Sequence, residues 1–208
     1  MTLLIAATAL LIASHVLPSA PPIRAGLIDR LGRRGFYALY SVLSLLALGL
    51  VVLAYRAADP GAWLYTPVPG SRVAALLGMM LATFMLTARL TMRADPAVPR
   101  GIYCLSAAPG SLAVLVWALV HLLNLGEARQ VVIFSGMALI AAAALIKNLW
   151  LTPPGWREVG LFRAPALRRA EFWRELGWWR PALALLAYLA LLGLHPVVIG
   201  RDPLAGLF

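Results

Sequence analysis

Apolar residues along the chain fall into six long runs, at roughly 2–20, 36–55, 72–92, 110–126, 130–150 and 181–200, and the stretches between them hold most of the charge. Each run approaches the roughly 20 residues a helix needs to cross about 30 Å of hydrocarbon. None alternates apolar and polar positions with a turn every ten or so residues, as a membrane barrel requires. A backbone in lipid must also satisfy its own hydrogen bonds, so the runs predict α-helices. The expected fold is all-α: a polytopic transmembrane helix bundle of about six spans, forming one integral membrane domain over residues 1–208.

Composition strengthens this reading. Apolar residues make up 62% of the chain and charged ones 12%, with a mean hydropathy of +0.85. A soluble globule of this size needs more polar surface to cover its core, whereas helices facing lipid can be apolar all round. The lone Cys104 excludes an intrachain disulfide and a cysteine-based zinc site.

The net charge of +10 would point to nucleic acid in a soluble protein. Here the arginines sit in short connections, with no basic face interleaved with exposed aromatics, so no nucleic-acid partner is expected. The charge sets orientation instead. Arg24, Arg30, Arg33 and Arg34 follow the first run, Arg93 and Arg100 the third, and Arg157, Arg163, Arg168, Arg169, Arg174 and Arg180 the fifth. The opposite side has only Arg56, Arg72, Arg129 and Arg201, so both termini are expected outside, in the periplasm of a Gram-negative cell. No Lys or Arg precedes the first run, which is therefore expected to be a retained span rather than a cleaved signal. Lys147 can snorkel toward the basic side.

The longest connection, about 151–180, alternates tryptophans and arginines. Trp150, Trp156, Trp173, Trp178 and Trp179 are expected in an interfacial belt, with Leu167 to Leu176 as a short amphipathic helix at headgroup level.

Candidate chemistry rests on three histidines, His15, His121 and His195, all inside predicted spans. An ionisable group at such depth is by default a functional candidate, although any one imidazole can simply hydrogen-bond across helices. The carboxylates all fall in loops or at helix ends, so a proton or cation path lacks acidic stations. Phosphate-loop, zinc-protease and nucleophile-elbow patterns are absent from the sequence. Neutral imidazoles in an apolar setting are good iron ligands, so haem b is the expected guest, with loop arginines such as Arg24 and Arg30 pairing its propionates. At about 1.5 Å per residue, His121 and His195 come out closest in depth and His15 nearer the basic side.

Three blocks resemble the NnrU family of bacterial inner-membrane proteins, relatives of 15-cis-zeta-carotene isomerase. The first is Ser14-His15 with Ile23-Arg24, Arg30-Leu31-Gly32, Gly35-Phe36-Tyr37 and Tyr40-Ser41. The second runs from Trp117 through His121 and Asn124 to Gly126-Glu127, with Phe134 and Gly136 beyond. The third is His195-Pro196 with Ile199-Gly200. The resemblance covers most of the chain and implies His15 and His121 as axial haem ligands; the depth count keeps His195 as the alternative ligand.

Two positions depart from the family pattern. Ala107-Ala108-Pro109 stands where Arg-His-Pro is usual, and Ala118 stands where the isomerase branch carries a cysteine. The resemblance implies a haem b protein linked to nitrogen-oxide respiration, acting in electron transfer or in support of that pathway with an unidentified redox partner. The alternatives are a haem-dependent polyene isomerase and a haem-free membrane assembly subunit.

Overall fold

A computed structural model describes residues 1–205. Among the described residues there are eight α-helices: α1 (Thr2–Val16), α2 (Pro21–Ala57), α3 (Ser71–Thr91), α4 (Ile102–Leu105), α5 (Pro109–Asn124), α6 (Ala128–Trp150), α7 (Ala170–Leu176) and α8 (Trp179–Ile199). Five of them, α1 with the short turn after it, α2, α3, α6 and α8, are long and apolar enough to cross a membrane. The fourth expected span, α5, has 16 residues. It still runs the depth of its neighbour: Asn124 at one end bonds Ser71 at the start of α3, and Gly110 at the other lies against Arg89 near the end of α3.

The long helices stand side by side in the order α2, α1, α6, α5, α3, α8. The start of α1, the end of α8 and the turns at Ala58–Gly70 and Leu125–Glu127 occupy one face, called here the terminal face. The connections rich in arginine occupy the other, the arginine face.

Small residues let the row pack closely. Gly136 of α6 leaves no room for a side chain beside Thr8 of α1, and Gly78 of α3 takes Val120 of α5. One core joins Leu4, Ala7 and Leu11 of α1 to Ala47, Val51 and Ala54 of α2. A second joins α3 and α5 to the arginine-face connections. At the end of the row, α8 buries only Ala184 among its residues, as expected of a helix surrounded by lipid.

Two sequence expectations change. Residues 21–35, read as a loop because of their charge, are helical: Pro21 opens α2 in a position where its missing N–H costs nothing. The helix is interrupted only at Gly32, whose φ of 68° and ψ of 161° are open essentially to glycine alone. The 151–180 connection is also more than an interfacial belt. Trp150 and Trp178 are exposed, but Trp156, Phe172 and Leu176 are buried, and the segment folds against α3, α4 and α5 as a compact lobe. The expected amphipathic helix is α7, shortened to Ala170–Leu176.

Candidate functional site

The three histidines share one local design. In each, Nδ1 lies within hydrogen-bonding reach of a main-chain carbonyl: His15 to Leu11 at 2.9 Å, His121 to Trp117 at 2.7 Å, and His195 to Arg201 at 2.6 Å. A carbonyl only accepts, so Nδ1 carries the proton and Nε2 keeps its lone pair. That is the tautomer a metal-binding imidazole uses, with its orientation set by the second nitrogen. For His15 and His121 the acceptor is one helical turn earlier. For His195 it is reached because Gly200, in the left-handed region, turns the chain back over the end of α8.

Their placement separates them. His121 and His195 each lie about one turn from the terminal-face end of their helices. His15 is in the last turn of α1, roughly 20 Å along that helix from its first residue, at the arginine face. The structure therefore sets His121 and His195 at one depth, on the two helices that flank α3, with His15 toward the other face.

Around His121, the Phe134 ring stacks at 4.4 Å with 18° between planes, and Trp117 packs at 5.1 Å. The end of α5 is fixed from several directions. Asn124 bonds Ser71 on α3, and the Tyr65 hydroxyl donates to the carbonyls of Leu122 and Leu125. Burial pushes the Tyr65 phenol up, keeping it a donor. Gly126 sits under the Tyr65 carbonyl with no space for a Cβ. Glu127, 5% exposed, pairs with Arg129, which also donates to the Ala58 carbonyl and covers the Tyr55 ring at 4.8 Å. A carboxylate buried this far is sustained by its partner and by closing the Ala58–Tyr65 segment over the α5–α6 turn. Sequence inspection missed Tyr65 and Arg129, which lie outside the quoted blocks and show no pattern of their own.

Around His15, the contacts are aromatic and more exposed. Tyr40 meets its ring edge-on at 5.8 Å, Phe36 stacks on Tyr40 at 6.0 Å, and Arg24 donates to the Tyr37 hydroxyl at 2.6 Å. Arg24 thus belongs to the His15 cluster. Arg30 is exposed, with no hydrogen bond or ion pair among the described residues. Cys104 lies apart in α4, its sulfur 3.0 Å from the Pro99 carbonyl, and burial pushes its thiol up, away from the reactive thiolate. Ala118 is fully buried on α5.

Among the described residues no three His, Cys, Asp or Glu side chains come together to hold a metal ion. Two imidazoles could serve as the two axial ligands of an iron already held by a porphyrin. A family model described as "NnrU protein" matches residues 3–203. No curated protein and no solved structure matches the chain.

Proposed function

Because the chain belongs to the NnrU family, we propose that it is a haem b protein of the bacterial inner membrane, serving electron transfer or haem-dependent support of nitrogen-oxide respiration. The observation that supports this reading is the shared depth of His121 and His195 on the two helices that flank α3, each with Nδ1 held by a carbonyl and Nε2 left to bind. Bound between them, haem would supply a one-electron redox centre.

The chain's own residues hold the ligands ready. The Trp117 and Arg201 carbonyls fix the tautomer, Phe134 fixes the His121 ring plane, and the Asn124 and Tyr65 contacts hold the end of α5. The assignment implied by resemblance, His15 with His121 and Arg24 and Arg30 on the propionates, is the rival arrangement, with His15 in the last turn of α1 and His121 in the last turn of α5. Ala118 supplies no thiol, so ligand exchange at that position is no part of the proposal. The arginine asymmetry supports both termini on the periplasmic side, testable by a reporter fused after Phe208.

The direct test is a reduced-minus-oxidised spectrum with a pyridine haemochrome assay on detergent-purified protein. The expected result is close to one b-type haem per chain. No haem after expression with haem supplied overturns the proposal and leaves a haem-free assembly role.

A further inference from the structure

Helix α2 is longer than the bilayer needs. Straight, Pro21–Ala57 would extend about 55 Å, against about 30 Å of hydrocarbon. The surplus lies at the arginine face, where the break at Gly32 sets residues 21–31 apart from the rest of the helix. Arg24 donates to the Tyr37 hydroxyl at 2.6 Å, and its guanidinium carbon lies 5.8 Å from the Phe36 ring centroid and 5.7 Å from that of Tyr37. Residues 13 apart in sequence would stand roughly 20 Å apart along a straight helix. The break therefore folds residues 21–31 back beside the start of the membrane-spanning part, instead of letting them project into water.

The folded-back piece is amphipathic. At about 100° per residue, Ile23, Leu27 and Leu31 share one side and Gly26, Asp29 and Arg30 another. Ile23 and Leu31 are each 45% exposed, so the protein leaves much of the apolar side uncovered. Arg30, Arg33 and Arg34 are exposed at the far end, and none of the ion pairs among the described residues includes them. Asp29 is the only carboxylate between residues 21 and 57. The piece is tied to the membrane at both ends: the span before it ends at Ser19, and Phe36 just after it is buried and stacked on Tyr40. An apolar side and three arginines held at that level fit a partner that is apolar below and anionic above.

We propose that residues 21–34 are a surface anchor for anionic phospholipid, with Ile23, Leu27 and Leu31 dipping into the acyl boundary and Arg30, Arg33 and Arg34 taking the headgroup phosphates. A helix of this build lies in the plane of the interface, and each basic residue at the headgroups strengthens its hold on an anionic membrane. Arg24 is a positioning residue, because its contacts with Phe36 and Tyr37 set how the piece lies against the span. The anchor uses none of the histidines and is independent of the haem reading.

The test puts a nitroxide on Ile23→Cys in a Cys104→Ser full chain and reads its depth by electron paramagnetic resonance. Nanodiscs of phosphatidylcholine alone are compared with nanodiscs of phosphatidylcholine and phosphatidylglycerol. With phosphatidylglycerol the label is expected about 5–10 Å below the phosphates, and with phosphatidylcholine alone nearer the water. Changing Arg30, Arg33 and Arg34 together to Gln is expected to abolish that difference. Arg30→Gln alone should remove part of it and serves if the combined variant fails to fold. A label open to water-borne relaxation agents in both membranes would overturn the proposal. So would a depth indifferent to phosphatidylglycerol and to the arginine changes, which would leave an apolar anchor without headgroup binding. Spin–spin broadening that disappears on dilution with unlabelled chain would give the apolar side to a second copy and overturn it as well.

Discussion

His15 and His121 each sit in an aromatic cluster near a helix end, but the two clusters are held in different ways. The His121 cluster is tied across elements: α5 to α3 through Asn124 and Ser71, the α5–α6 turn to the 58–65 segment through Tyr65, Glu127 and Arg129. The His15 cluster is tied mainly by ring contacts between α1 and α2 and by one exposed hydrogen bond, from Arg24 to Tyr37. It also lies beside the Gly32 break in α2. A metal ligand must be placed to within a fraction of an ångström by its supporting contacts. By that standard the contacts around His121 suit the proposed ligand role better than those around His15, which pack two helices around a bend.

Three substitutions put that contrast at risk. Gly126→Ala forces a methyl group against the Tyr65 carbonyl and is expected to cost about 3 kcal/mol. It should also perturb any haem spectrum, because the displaced segment closes over the end of α5; detergent melting and absorbance check both effects. Gly32→Ala asks for a backbone conformation that alanine resists and is expected to cost about 2 kcal/mol. It should leave the haem spectrum unchanged, and a changed spectrum would tie the His15 region to the cofactor. Tyr65→Phe removes donation to Leu122 and Leu125 and is expected to cost about 1 kcal/mol. Its effect should appear as faster hydrogen exchange in residues 122–126, with residues 30–40 unaffected.

Much of the fold was legible in the sequence, for a simple reason. A run of about twenty apolar residues has few fates besides a membrane helix, so the positions of α1, α3, α6 and α8 follow within a few residues. Helix α5 was legible as an apolar helix, but its 16 residues fall short of the span the sequence suggested. The Pro21–Leu31 portion of α2 was not legible, because Arg24, Asp29 and Arg30 read as a loop until the helix is seen to continue past them. The lobe containing Trp156 and Phe172 was hidden because alternating tryptophan and arginine gives the same pattern whether a ring lies in headgroups or under another helix.

Helix neighbours were the least readable feature. Helices apolar on every side carry no stripe to mark a partner, so the row from α2 to α8 depends on details such as Gly136 against Thr8. That is also why the histidines separate as they do. Counting residues from the span edges set His121 nearest His195, and the structure places those two at one level. Resemblance paired His15, in the last turn of α1, with His121, in the last turn of α5.

The central claim is that the ligands lie at the terminal face, and absorbance spectra of purified His15→Ala, His121→Ala and His195→Ala address it most directly. The account predicts a low-spin b-type spectrum retained in His15→Ala, and lost or converted to high spin in both His121→Ala and His195→Ala. Loss in His15→Ala with retention in His195→Ala would contradict it and give the iron to the pair implied by resemblance.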